Sequence, residues 1–452
     1  MKKTIYRCIA FLLIFTSCSS DFTELAPENY LNTKEFYKTP DDFNSAVIAA
    51  YAKLQTHVSL YFELEYRSDN LNIGAPTAGT QDRFDLNEFK ETTANSIVQN
   101  AWTIFYNQIF RSNVIIDNIS GADFDLKNQY EAEARFLRAL TYFNVVRFWG
   151  DAPLVLSQVS PEDALDIGRS PVSEVYGAIE ADLMFAAANL PLSTSDFGRA
   201  TSGAAKALLG KVYLTEKKYP ESISILNEII GQYALLSDVT DVFDTDNKLN
   251  SEIIFSIRFD KEISGEGHGL WLNVSDVSTT NVSTKIIDAY DALDARKFLV
   301  DYQPNGSLFA PGKFLDEESS STRDFGNDYI LLRYADVVLM LAEAINEDAY
   351  ATSGDAYTYL NNVRSRAGLT PNLTSTELPD QASFRNAVLN ERFLEFPFEG
   401  QRWFDLARTN TAKDELAILG KTVGTHQLIF PIPQAEIEKV NNPDIFPQNP
   451  GY

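Results

Sequence analysis

Cysteine is almost missing from this chain. Cys8 and Cys18 are the only two in 452 residues, so no disulfide framework and no CxxC pair exists. Histidine is nearly as scarce. His57, His268 and His426 stand alone, with no HExxH arrangement, and neither a GxSxG elbow nor a P-loop occurs. Gly265, Gly267 and Gly269 imitate a phosphate loop, but the sixth-position glycine is absent and no helical pattern follows. Positive charge is short too. Against 63 acidic residues there are 38 basic ones, a net charge of −25 that excludes nucleic acid as a natural partner. No run approaches the 18 apolar residues of a membrane-spanning helix. Among so many carboxylates any hydrolytic pair would be arbitrary, so no catalytic residue, metal site or cofactor is assigned.

What is present begins with an export signal. Lys2, Lys3 and Arg7 precede the apolar run Ile9–Phe15, and Thr16 and Ser17 are small residues placed before Cys18. This resembles a bacterial lipoprotein signal of residues 1–17, with Cys18 as the lipidated first residue of the mature chain. Losing three basic residues with it takes the side-chain charge from −25 to −28. Residues 18–32 are polar and weakly patterned, which suits a tether, and 33–452 are read as one domain. An exported chain without a disulfide must hold together by packing, and 44% hydrophobic residues are enough for a large core.

The packing pattern is helical. Trp102, Phe105, Tyr106, Ile109, Asn113 and Ile116 share one helix face, and Ala134, Leu137, Arg138, Thr141, Tyr142 and Val145 another, ending at Gly150 and Pro153. In residues 201–233, Leu209, Gly210, Tyr213 and Tyr219 stand where a tetratricopeptide (TPR) repeat puts Leu, Gly, Tyr and its turn aromatic. Gly210 would let the second helix approach closely, and Ser222 replaces the usual alanine. The pattern predicts stacked helical hairpins over about 97–236 and 329–410. Between them, at 256–328, and earlier, at 66–95, Gly, Pro and Ser break the rhythm and predict irregular insertions that carry function.

The densest charge cluster is ERFLEFPFEGQRWFDLAR, residues 391–408. Glu391, Arg392, Glu395, Glu399, Arg402, Asp405 and Arg408 alternate in sign around Pro397 and Gly400. We read it as two helical segments locked by buried ion pairs and aromatic packing, not as an active site.

Several motifs together are similar to those of the SusD/RagB family of outer-membrane nutrient-binding lipoproteins. They are CSSD at 18–21, SDN at 68–70, AEARFLRALTYFNVVRFWGDAPLV at 132–155, YADVVLMLAEA, NNVRSRAGL, ERFLEFPFEGQRWFDLAR, and a C-terminal PIPQAEI and QNPGY. The resemblance runs nearly the whole length. It implies a mainly α fold of about four TPR-like hairpins in a superhelical scaffold with a loop-rich ligand-binding face opposite. It also implies a lipid-anchored protein of the outer membrane, facing the exterior, that captures an oligosaccharide for a SusC-like TonB-dependent transporter. Two alternatives are a peptide or glycopeptide receptor of the RagB type and a structural TPR scaffold.

A glycan site needs exposed aromatic faces beside planar hydrogen-bonding groups. Trp102, Trp149 and Trp403 lie in helical motifs and read as core, which leaves Trp271, in the Gly-rich insertion, as the platform. The resemblance adds Arg67, at a place similar to a glycan-contacting arginine of the family's starch-binding founder, with Asp69 and Asn70 beside it. Tyr302, Phe309, Phe84 and Phe325 complete the candidate ligand contacts.

Overall fold

Thr39 starts the first helix by reciprocal capping. Its hydroxyl accepts from the Asp42 amide at 3.3 Å and the Asp42 carboxylate accepts the Thr39 amide at 2.8 Å. Pro40 occupies the first turn, where its missing N–H costs nothing. This computed structural model describes residues 36–452 except 77–78, 270–279, 304–310, 317–318 and 320–323, and leaves aside the side chains of Phe62 and Leu64. Helices α1 (Pro40–Lys53) and α2 (Gln55–Leu64) lead through a short 3-10 turn to strand β1 (Leu71–Ile73) and helix α3 (Gln81–Asn87). The 66–95 insertion is thus more ordered than its composition predicts. Asn87 supplies the reason, since its amide donates to the carbonyls of Tyr66 (2.7 Å) and Leu71 (3.1 Å) and its oxygen accepts the Ile73 N–H (3.3 Å).

Helices α4 (Ser96–Ile119) and α5 (Lys127–Trp149) form the first long hairpin, and α6 (Val172–Asn189) packs on α5. The side chain of Asn95 caps α4 by accepting from Ile97 and Val98. Helix α5 is buried almost all round, from Tyr130 to Trp149, as a helix at the centre of a bundle must be. It stops at Gly150, whose φ of +70° a side chain would resist.

Helices α7 (Ser202–Thr215) and α8 (Tyr219–Asn227) are the TPR-like pair read from the sequence. A Cβ on Gly210 would stand 2.3 Å from Leu226 Cδ2, so only glycine permits this approach. Ser222 is fully buried there and donates to the Gly210 carbonyl at 2.9 Å. Strand β2 (Ile253–Ile257) follows, then β3 (Thr280–Val282) and α9 (Thr284–Ala289). β3 pairs antiparallel with β1, Leu71 opposite Val282 and Ile73 opposite Thr280. β2 pairs antiparallel with β4 (Tyr329–Arg333), through irregularities that twist the ladder. Each two-stranded sheet pins one part of the long insertion to the helical body.

From β4 the chain runs straight into α10 (Tyr334–Asp348), then α11 (Asp355–Arg366), α12 (Gln381–Glu395), α13 (Arg402–Arg408), α14 (Ala412–Ala417) and α15 (Gln434–Val440). The C-terminal QNPGY closes the fold. Asn449 donates to the carbonyls of Trp149 (3.0 Å) and Phe430 (2.7 Å), and Gln448 bonds both backbone groups of Ile432. Among the described residues no helix is long and apolar enough to cross a membrane. The signal, the tether and Cys18 lie outside the described residues.

Candidate functional site

The charge-rich segment 391–408 is structural. Arg333 is 1% exposed and reaches Glu252 (2.9 Å), Glu395 (2.5 Å) and Glu399 (2.9 Å), while Arg296 reaches Asp294, Glu391 and Glu395. Arg366 adds contacts to Glu252 and Glu395, and Lys313 binds Glu399 at 2.7 Å. Burial alone would raise the Glu395 carboxyl, but Arg366, Arg333 and Arg296 outweigh it and hold it far below the usual carboxylate range. Arg392 is likewise held between Asp336 and Asp405 at 2.8 Å each. This knot ties α10, α11 and α12 to β4 and to the insertion, and every charge in it is answered.

Three residues expected to touch ligand share that fate. Arg67 is fully buried, paired with Glu91 at 2.6 Å and stacked by Phe89, Trp403 and Phe430 at 4.9, 4.5 and 4.4 Å. Asp69 is fully buried between Arg402 (2.7 Å) and Lys285 (2.6 Å); its burial would raise the carboxyl, yet the two cations lower it. Asn70 is fully buried and donates to Glu65 at 2.7 Å. With no surface left, these three position the insertion and offer nothing to a ligand. Among the described residues Glu65 itself has only neutral donors (Asn70, Ser68 and the Gly400 N–H), and burial pushes its carboxyl up to about 7.

The aromatic candidates divide. Trp271 and Phe309 lie outside the described residues. Phe325 is buried, which withdraws it as a platform; it packs with the half-buried Tyr302 and Leu315 in a small cluster of its own. Phe84 is half-buried under Lys90, whose ammonium lies 5.4 Å from the ring centroid. Trp102, Trp149 and Trp403 are core, as their helical spacing predicts.

Beside the Phe325 cluster the loop face opens into a cleft of about 430 Å³, lined by residues 240–241, 243–246, 298–299, 312–313, 315–316 and Asn327. Leu315 connects the two. Phe298 stands at this cleft 48% exposed, an aromatic ring that folding has left in water. Asp241, Asp244 and Asp246 line the same cleft, all exposed, with no cation paired to them among the described residues. The Asp246 N–H donates to Asp244 Oδ1 at 2.8 Å, which shapes the turn. An exposed ring beside planar acceptors can stack on an apolar sugar face and accept from its hydroxyls. The sequence signal was DVFDTDNK at 241–248, an acidic loop broken by one aromatic, just outside the insertion expected to carry the site.

Known proteins place this architecture. A model described as the SusD family matches residues 238–452, and one described as starch-binding associating with outer membrane matches residues 22–214. SusD-like protein P2 of Formosa agariphila is 29% identical, over 100% of both chains. A solved laminarin binding SusD-like protein is 26% identical with a TM-score of 0.79, covering 92% of this chain and 100% of its own. A SusD superfamily protein from Bacteroides vulgatus has the same fold, with 24% identity, a TM-score of 0.79 and coverage of 92% and 100%. Two matching halves and these full-length relatives settle the lineage: the chain belongs to the SusD/RagB family, whose members are binding proteins associated with the outer membrane and not enzymes.

Proposed function

We propose that this protein captures an oligosaccharide on its loop face and delivers it to a SusC-like TonB-dependent transporter, held to the outer membrane by lipid on Cys18 and facing the exterior. The observation that carries the reading is the full-length likeness, at 26% identity, to a protein that binds laminarin. The cleft beside Phe298 supports it, because an exposed ring with unpaired carboxylates is the chemistry a neutral sugar needs. Trp271 stays a second candidate platform, together with Phe309 and Tyr302.

Calorimetry with laminarin and a panel of neutral and charged oligosaccharides tests the ligand class. Binding of one glycan family, with no release of reducing sugar, is expected. A protein that ignores every glycan yet retains peptides would instead belong with the RagB-type receptors. Trp271→Ala, with the fold intact, should weaken glycan binding by roughly 2 kcal/mol if that ring stacks on sugar. Delivery is tested by co-purification with a TonB-dependent barrel from outer membranes, and lipidation by loss of membrane attachment in Cys18→Ala.

A further inference from the structure

A second cavity lies inside the helical body, remote in sequence from the loop cleft. It measures about 290 Å³, between α5, α7, β4 and α13. Its walls are apolar, with Leu208, Leu214, Met340 and Phe404 among them, but its polar groups are unusual in kind. Three of them keep a donor that meets no acceptor among the described residues.

Arg147 is the clearest. Its guanidinium carbon sits 3.8 Å from the Phe143 ring centroid and 3.6 Å from that of Phe404, which fixes its plane. Nε donates to the Phe143 carbonyl at 2.9 Å and Nη2 to Asn144 Oδ1 at 2.6 Å. Nη1 has no partner among the described residues, and no carboxylate pairs with this arginine. Burial lowers its basicity to about 10, more than the nearby hydroxyls and the Asp405 carboxylate, itself bonded to Arg392 and Arg408, restore. Gln401 adds a second donor. Its oxygen accepts from Lys211 (3.2 Å) and Arg392 (3.1 Å), so its amide nitrogen is the end left over. Tyr61 adds a third, because its hydroxyl accepts from Asn144 at 2.8 Å and its own proton meets no acceptor among the described residues. The carboxylates on the same lining are committed: Glu399 to Arg333 and Lys313, and Asp405 to Arg392 and Arg408.

Three open donors, one of them an unpaired cation, on an apolar wall call for an anionic acceptor carrying an apolar body. A lone benzene ring fills a cavity of about 150 Å³, so this one has room for a ring and a carboxylate. We propose that the interior cleft is a second binding site, separate from the loop face, which takes a small organic carboxylate. Its carboxylate meets Arg147 and Gln401, and its body lies against Leu208, Leu214 and Met340.

Benzoate and its neutral counterpart benzyl alcohol serve as probes, titrated by calorimetry into the mature protein in low-chloride buffer. Benzoate is expected to bind at least tenfold more tightly than the alcohol. Arg147→Gln should abolish that preference, and Thr215→Trp, at a half-buried position on the lining, should block both probes while leaving the thermal midpoint unchanged. Equal affinity for the two probes, no binding of benzoate, or benzoate affinity unaltered in Arg147→Gln or in Thr215→Trp overturns the proposal. If Arg147→Gln does not fold, the charged-against-neutral comparison and the Thr215 variant decide it.

Discussion

The knot around α12 and the cleft around Phe298 are built from the same materials, acidic side chains and aromatic rings, yet they use them in opposite ways. In the knot Glu252, Glu395 and Glu399 are sealed from water and each meets an arginine or lysine, while Phe396 lies flat against Arg333 at 4.5 Å. At the cleft Asp241, Asp244 and Asp246 face solvent without a cation among the described residues, and Phe298 is half in water. Composition cannot tell these apart; partners can. A carboxylate whose acceptor capacity is filled holds the fold, and one whose capacity is open is available to a hydroxyl from outside.

Breaking the knot should have the largest effect. Glu395→Ala leaves Arg333, Arg366 and Arg296 short of their shared carboxylate in a dry interior. Loss of one partner from a buried pair costs about 3–5 kcal/mol, so urea denaturation should show a stability loss of that order. Folded Glu395→Ala should still bind glycan as the parent does. A loss below about 1 kcal/mol would mean that the knot is ornament, and a selective loss of glycan binding would move it into the site.

Glu65 sharpens the comparison from the other side, as a buried carboxyl whose hydrogen-bond donors among the described residues are neutral and which Lys313 reaches only at a distance. Its folded pKa, about 7, lies above its unfolded value of 4.5. The stability it contributes is therefore full below pH 4.5 and is lost as the pH rises through 7. The displacement corresponds to about 3 kcal/mol. Urea midpoints measured from pH 4 to pH 8 should show the parent losing stability relative to Glu65→Gln by roughly that amount; parallel curves would show that Glu65 has found a counter-charge.

At the cleft the effect should be smaller and confined to binding. Phe298→Ala removes a ring that folding leaves half in water, so the thermal midpoint should change little while glycan affinity falls about tenfold, or ~1.4 kcal/mol. If affinity holds, the stacking platform lies elsewhere on the loop face, with Trp271 the first to test.

These contrasts also mark how far the sequence could be read. The helices were legible because apolar spacing repeats on one face, as in the Trp102 and Leu137 stripes, and Gly210 announced the close approach that Leu226 makes. The alternating charges at 391–408 were legible as ion pairs because opposite signs recur near apolar neighbours. Arg67, Asp69 and Asn70 misled, since a local motif carries no record of Trp403, Phe430 or Lys285, which arrive from far along the chain and seal it. Phe298 was missed for the converse reason: nothing beside it in sequence reveals that its neighbours leave it uncovered. Burial is a property of the whole fold, and ligand sites depend on burial being incomplete.

Ser222 gives the smallest test of the same principle, because it is a polar group whose partner is known and whose alternative is alanine. Removing its hydroxyl gives up a hydrogen bond to the Gly210 carbonyl worth about 1 kcal/mol. Alanine in α8 returns part of this through better helix propensity, up to about 0.7 kcal/mol, and the carbonyl keeps its place in α7. Ser222→Ala should therefore change stability by less than about 1 kcal/mol. Gly210→Ala, which drives a methyl into the fully buried Leu226, should cost about 1–3 kcal/mol. Paired urea titrations settle the order. If the serine change proved the costlier, the hydrogen bond between the helices, and not their close approach, would hold this hairpin together.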